Sequence, residues 1–83
     1  MYLEIITPEK KLFSGETELV KLPGTNGSFE VLMNHAAAIS SLAKGKIKVK
    51  EPNGNTIYFE ITGGVVEIQN NNIIVLVDSS ELD

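Results

Sequence analysis

The feature that most constrains the fold is an alternation of apolar and polar residues with a period of two. It is clearest in residues 46–62. Ile47 and Val49 alternate with lysines before a Pro-Asn-Gly-Asn turn, and Ile57, Phe59 and Ile61 recur at every second position after it. Successive side chains of a β-strand point to opposite faces, so the pattern predicts a hairpin with one buried face. We therefore expect strands, rather than helices, to build this chain.

Similar patterns, separated by Pro, Gly and Asn, predict strands along the rest of the chain. Pro8 and Pro23 are expected to end two of them, because proline cannot donate to a strand ladder. Asn26-Gly27 predicts a hairpin turn of a primed type, which requires positive φ. The predicted strands cover residues 2–7, 12–13, 16–22, 29–32, 46–51, 56–62, 65–68 and 73–77, the last of them a wholly apolar run expected to be covered on both faces. About eight short strands at regular spacing predict a sandwich or flattened barrel.

Residues 23–45 depart most from this alternation. Asn34 could cap a helix over residues 35–44, with three alanines inside it and Gly45 after its end. The same residues could instead form a loop followed by a strand around Ala38–Leu42. Intrinsic propensity alone slightly favours the helix.

Composition excludes several classes of function. The 83 residues have room for one compact domain, and their net charge is −4, with seven lysines and no arginine. Nucleic-acid binders are normally basic and use arginine, so we expect no nucleic-acid partner. No cysteine is present, and no apolar run approaches the ~20 residues that span a bilayer, so we expect no disulfide and no direct membrane insertion. The N-terminal residues lack the pattern of a signal peptide.

The sequence offers little for catalysis or metal binding. His35 is the only histidine, and a hydrolase would need it beside a serine such as Ser40 or Ser41. No spacing specifies that arrangement, and we expect no catalytic residue. The carboxylates at residues 78–83 are more typical of a solvated tail than of a metal site, so we expect no metal and no cofactor.

Four lysines, Lys44, Lys46, Lys48 and Lys50, recur at every second position. On a strand they would share one face, with their ammonium groups about 7 Å apart. They could dock an acidic partner surface, or they could form a solvated outer face that discourages unwanted strand pairing.

Three segments, taken together, resemble the N-terminal β-sandwich domain of the epsilon subunit of F-type ATP synthases. LEIITPEKKLFSGE (residues 3–16) is similar to the start of that family. VKLPGTNGSFEVLMNHAAAISSL (residues 20–42) is similar to its pattern PG-x-x-G-x-[LF]-x-[VI]-[LM]-x-x-HAP-[LI]. YFEITGGVVEIQNNNIIVLVD (residues 58–78) is similar to its SGG segment and the two strands that follow.

The resemblance implies an all-β fold, a flattened β-sandwich of about 8–10 short strands in two sheets, with a loop and a strand after His35. It implies a non-catalytic central-stalk subunit that bridges the gamma subunit and the c-ring and couples ion flow to ATP synthesis. Its partners would be gamma, the c-ring and, indirectly, the alpha/beta hexamer. It would lie on the cytoplasmic face of a bacterial inner membrane, attached only through the complex.

The resemblance also implies two partner-binding sides. The c-ring side would contain Gly27, Ser28, Phe29, Glu30, Asn34 and His35, projecting as two turns at one end of the sandwich. The gamma side would include Thr7 and Ser40.

Three departures from the family pattern affect these expectations. Ala37 stands where the family usually has proline. Ser28 stands where many members have an acidic residue, and we expect Glu30 to supply that charge instead. The sequence does not continue into the family's C-terminal helical hairpin, so we expect residues 1–83 to form a single sandwich domain without hairpin-based inhibition or ATP binding. The main alternative is a free-standing β-sandwich module that binds a small ligand or peptide in a polar pocket between its sheets.

Overall fold

A computed structural model describes residues 1–78, and these form nine β-strands. The predicted all-β fold of 8–10 short strands is therefore confirmed. The strands are β1 Tyr2–Ile6, β2 Lys11–Glu16, β3 Leu19–Gly24, β4 Gly27–Val31, β5 Ala38–Leu42, β6 Gly45–Lys50, β7 Thr56–Ile61, β8 Gly64–Gln69 and β9 Asn72–Val77.

The strands follow the order β2-β1-β9-β8-β5-β3-β6-β7, with β4 on the other edge of β3. β5 joins β3 through a single residue pair, Leu42 with Gly24, so the sheet divides there into two layers. One layer holds β2, β1, β9, β8 and β5, and the other holds β4, β3, β6 and β7. All pairings are antiparallel except that of β1 with β9, which is parallel.

The core lies between the two layers and consists of one cluster of aliphatic side chains. The period-two pattern explains its composition, because the inward position of each strand is apolar while its neighbours face outward. On β6, for example, Ile47 and Val49 are completely buried while the intervening Lys48 is not. The buried apolar residues are Met1, Leu3, Ile5, Val20, Leu22, Val31, Leu42, Ile47, Val49, Ile61, Val66, Ile68, Ile73, Val75 and Val77.

The segment after His35 is a loop followed by β5, so the loop and strand implied by the resemblance are confirmed and the alternative of a helix over residues 35–44 is wrong. β5 pairs along its whole length with β8, from Ala38 with Ile68 to Leu42 with Gly64. These ladder hydrogen bonds and the burial of Leu42 outweigh the weak helical preference of the alanines.

Other local predictions need correction. Residues 16–22 are not one strand, since β2 ends at Glu16 and β3 begins at Leu19. β3 also continues through Pro23, whose carbonyl accepts a hydrogen bond from the Ala43 N–H at 2.7 Å. The β3–β4 turn is not a primed turn, because Gly27 has positive φ (120°) but Asn26 does not.

The apolar run of residues 73–77 is buried on one face only. Ile73, Val75 and Val77 point into the core, but Leu76 on the outer face is 49% exposed. The prediction that this strand is covered on both faces is therefore wrong for the isolated chain.

Within residues 1–78 there is no helix with the length and apolar character needed to cross a membrane. The acidic tail predicted for residues 78–83 lies, beyond residue 78, outside the described residues.

Candidate partner-binding edge

β4 is an edge strand that carries four of the predicted c-ring-side residues. Among the described strands it pairs only with β3, so its second backbone edge is unpaired. Phe29 packs against the core, whereas Ser28 and Glu30 point outward and are exposed. The edge therefore presents a carboxylate, a hydroxyl and unpaired backbone groups along one line, which can accept a polar or strand-like partner.

The loop between β4 and β5 follows at the far end of β4 and carries Asn34 and His35. The β3–β4 turn lies at the near end of that strand, so a five-residue strand about 13 Å long separates the two. The prediction that both turns project from one end of the sandwich is wrong. Of the six predicted c-ring-side residues, four instead lie along the β4 edge and two lie in the loop that follows β4.

A clasp between two turns sets the shape of this loop. The side-chain oxygen of Asn71, in the β8–β9 turn, accepts a hydrogen bond from the Asn34 N–H at 2.7 Å, and the Asn71 amide donates to the Asn34 side-chain oxygen at 3.4 Å. Both asparagines have positive φ, 67° at Asn34 and 61° at Asn71. Asparagine tolerates this conformation better than most residues, so an Asn at each position serves both the backbone and the clasp.

We expect Asn71→Gly to loosen the 32–37 loop without disturbing the β8–β9 turn. Glycine adopts positive φ easily, so this substitution removes only the hydrogen bonds to Asn34. Hydrogen exchange of the Asn34 amide, followed by NMR, should become about tenfold faster, the equivalent of roughly 1.4 kcal/mol.

Asn70→Gly is the matched control for this prediction. Asn70 lies in the same turn and also has positive φ (52°), but its side chain makes no hydrogen bond to Asn34 within the described residues. Equal acceleration in both variants would show that turn flexibility, and not the clasp, governs the loop.

His35 is half-buried in the loop and makes local hydrogen bonds. Its N–H donates to the Leu32 carbonyl at 3.1 Å, and its ring Nδ1–H donates to the Ala36 carbonyl at 2.7 Å. No serine hydroxyl bonds to the ring among residues 1–78, and the Ser40 hydroxyl donates instead to the Ser41 carbonyl at 3.3 Å. The contact on which a Ser–His hydrolase depends is thus not formed.

Metal and pocket chemistry receive no support either. Residues 1–78 contain no group of three or more His, Asp or Glu side chains placed to hold a metal ion. Two hollows lie on the outer surface of the described residues, one beside Ile39 and Glu67 and one beside Lys46 and Tyr58. The alternative of a ligand module requires a polar pocket between the sheets, where the structure has packed aliphatic side chains.

The two predicted gamma-side residues lie in different settings. Thr7 is 3% exposed, and its hydroxyl oxygen accepts hydrogen bonds from the N–H groups of Glu9 and Lys10 in the β1–β2 turn. Ser40 is half-buried on β5. Two strands lie between β5 and β1, so these two strands are roughly 14 Å apart on the same layer. Thr7 therefore shapes a turn and has little side-chain surface for a partner.

Sequence reasoning missed exposed apolar side chains that are adjacent in sequence to both groups of residues. Ile39, beside Ser40, is 73% exposed, and Leu32 and Met33, beside Asn34, are 52% and 66% exposed. The sequence did contain a signal for these side chains, namely an apolar residue at a position that the period-two pattern assigns to the outer face. Large exposed apolar side chains that cluster often mark contact surfaces.

One charge pair on the opposite edge stands out electrostatically. Lys11 on β2 contacts Glu4 on β1 at 2.8 Å. The hydrogen bond to Glu4, and then its negative charge, raise the pKa of Lys11 above its usual value. This lysine is exposed and remote from β4, so we assign it no role in the candidate edge.

Residues 1–83 match the family described as the ATP synthase, Delta/Epsilon chain, beta-sandwich domain. The chain belongs to this family. The resemblance stated from three sequence segments is thus confirmed, and the match extends over the whole sequence.

Curated relatives in this family are ATP synthase epsilon chains of bacteria. The chain is 39% identical over 79 residues to that of Pelotomaculum thermopropionicum, 36% over 78 residues to that of Caulobacter vibrioides and 40% over 76 residues to that of Chlorobaculum tepidum. These alignments cover 95%, 94% and 92% of this chain. The chain spans 58% of the Pelotomaculum protein but 90% and 86% of the other two.

Two solved ATP synthases contain chains with the same fold. A chain of the Euglena gracilis mitochondrial enzyme, solved as OSCP/F1/c-ring, superposes with a TM-score of 0.87 at 18% identity, covering 94% of this chain and 50% of that one. A chain of the Tetrahymena thermophila central stalk/c-ring structure gives 0.81 at 20% identity, covering 96% and 64%. At these identities the similarity establishes the fold alone.

Proposed function

We propose that this chain is a non-catalytic central-stalk subunit of an F-type ATP synthase. In this role it bridges the gamma subunit and the c-ring and helps to couple ion translocation to ATP synthesis. The observation that carries the proposal is the family match over residues 1–83, together with epsilon chains that are 36–40% identical. Its attachment to the cytoplasmic face of the membrane would be peripheral and would depend on these partners.

The c-ring side is proposed to be the β4 edge and the loop that follows it, comprising Gly27, Ser28, Phe29, Glu30, Asn34 and His35. Glu30 supplies the exposed negative charge of this edge. Leu32 and Met33 add exposed apolar surface in the loop, whose conformation is held by the clasp with Asn71. A held loop loses less conformational entropy on binding than a mobile one, which favours its use as a contact.

The gamma side is proposed to include Thr7 and Ser40 and the outer face of the layer on which they lie. That face carries Ile39 and Leu76, both substantially exposed in the isolated chain. Cover from a partner would remove this apolar area from water, at roughly 25 cal/mol per Å². Thr7 would act there indirectly, through the turn that its hydroxyl organises.

We expect Glu30→Lys to weaken coupling to the c-ring while leaving the domain stable. Glu30 is exposed and makes no ion pair with the opposing Lys21 within 4 Å among residues 1–78, so its reversal should change the melting temperature by less than about 2 °C. In reconstituted enzyme, the ratio of ATP-driven ion pumping to ATP hydrolysis should be at least threefold lower. An effect of this order is expected when a charge at the rim of an interface is changed.

Glu51→Lys provides the control, since Glu51 follows β6 at the β6–β7 turn and involves the same change of charge. It should leave coupling unaltered. Copurification of the chain with gamma and c-ring from native membranes tests the proposal as a whole. An absence of both partners from the purified material would refute it, and a large loss of stability in Glu30→Lys would assign Glu30 to the fold.

A further inference from the structure

The lysines that alternate along β6 meet another lysine on the neighbouring strand. Ile47 and Val49 are buried, so Lys46, Lys48 and Lys50 share the outer face of β6. Lys21 on β3 lies directly opposite Lys48, and Tyr58 on β7 lies opposite Lys48 on the other side. We call this outer surface of β3, β6 and β7 the lysine face.

The lysine face holds most of the positive charge of an acidic chain. Five of the seven lysines lie on it or, in the case of Lys44, beside it, although the net charge of the chain is −4. Lys46 approaches Glu60, and Lys50 approaches Glu18, only to 3.9 Å. These exposed ion pairs offset the lysine charges only weakly. The ammonium groups of Lys21 and Lys48 have no carboxylate within 4 Å among residues 1–78.

Lys21 lies between Lys48 on β6 and Glu30 on β4, so one of its two cross-strand neighbours carries a like charge, an arrangement that destabilises a sheet. Lys21 and Lys48 also border a shallow hollow of about 490 Å³, where the ring of Pro23 lies against the backbone of Gly45. A concave surface with unbalanced positive charge raises the local concentration of anions. We propose that the lysine face is an interaction surface for an extended acidic segment of a partner protein.

The geometry favours an acidic segment over a phosphate compound. Lys46, Lys48 and Lys50 recur about every 7 Å, which is also the spacing of alternate side chains along an extended peptide. A segment with carboxylates at every second position therefore matches this row in register. Lysine can bind phosphate as a point charge, but the chain has no arginine and its strand N–H groups lie in the sheet plane, so this face lacks the two usual sources of directional hydrogen bonds to a phosphate group.

The test uses the 83-residue chain and two fluorescent peptides of identical composition. One alternates glutamate and serine, and the other carries the glutamates in one block. We expect the alternating peptide to bind more tightly, to perturb the NMR amide signals of β3, β6 and β7, and to lose affinity as salt rises. Lys48→Glu should weaken its binding about tenfold, and this variant should fold because it replaces a like-charge pair with an opposite-charge pair.

Lys10→Glu changes the net charge equally but lies in the β1–β2 turn on the other layer, so it should leave the affinity within about twofold. If Lys48→Glu fails to fold, Lys48→Ser takes its place. Three outcomes would each overturn the proposal. The first is equal affinity for both peptides, and the second is an equal loss of peptide affinity in Lys10→Glu and Lys48→Glu. The third is a change of the NMR signals with inorganic phosphate or phosphatidylglycerol vesicles but not with peptide. The assay contains no ATP synthase component, so its outcome is independent of the proposed function.

Discussion

Gly64→Ala should lower the free energy of unfolding by about 2–3 kcal/mol and the melting temperature by roughly 10–20 °C. Gly64 lies on β8 between β5 and β9. A Cβ there would lie 2.3 Å from the Leu76 carbonyl oxygen and 2.9 Å from the Val77 Cα. Both are backbone atoms, so the contact cannot be relieved by a side-chain rotation, and the β8–β9 ladder must shift. Thermal unfolding followed by circular dichroism measures the effect.

Gly15→Ala is the matched control. Gly15 lies on β2, and an added Cβ would meet only the ring of Phe13 at 3.6 Å, an ordinary contact. Because glycine in a strand carries an entropic cost, this variant should be unchanged or stabilised by up to about 1 kcal/mol. Similar destabilisation of both variants would mean that strand propensity, and not the close approach of β9, explains the result.

Leu22→Ala should destabilise the chain by about 2–5 kcal/mol, enough to unfold a substantial fraction of so small a domain. Leu22 is completely buried on β3, the strand that joins the two layers. Truncation leaves a cavity between layers whose backbones are fixed by pairing on both sides. Urea denaturation should show a lower midpoint with little change in its slope.

Leu32→Ala makes the same chemical change at a side chain that is 52% exposed. It should cost less than about 0.5 kcal/mol. A comparable loss in both variants would show that the 32–37 loop contributes to the core more than its exposure indicates.

Much of the fold followed from the sequence because strand alternation is a local signal. The β6–β7 hairpin needed only the pattern of residues 46–62, and the structure pairs Gly45–Lys50 with Thr56–Ile61 as expected. β5 was ambiguous because three consecutive alanines favour helix locally. Its conformation depends on β8, more than twenty residues further along the chain, and no local pattern contains that information.

The candidate edge was harder to predict for the same physical reason. The clasp joins Asn34 to Asn71, which are 37 positions apart in the sequence. The sequence around each turn accounts for that turn by itself and does not indicate the contact between them. Leu76 shows a second limit, since an apolar residue in a strand does not reveal whether a partner or the chain itself covers it. The predicted partner contacts at Thr7, Ser40 and the β4 edge stay predictions until the complexes are measured.

The parallel pairing of β1 with β9 has a consequence for how the domain is made. Tyr2 pairs with Asn72 and Ile6 with Leu76, so β1 leaves the ribosome well before β9, the strand that satisfies the backbone groups of its inner edge. Contacts so distant along the chain carry a large loop-closure cost and are typical of slowly folding proteins. During synthesis, Leu3 and Ile5 therefore depend on the β1–β2 hairpin alone, and the sandwich closes only once the segment up to Val77 has emerged.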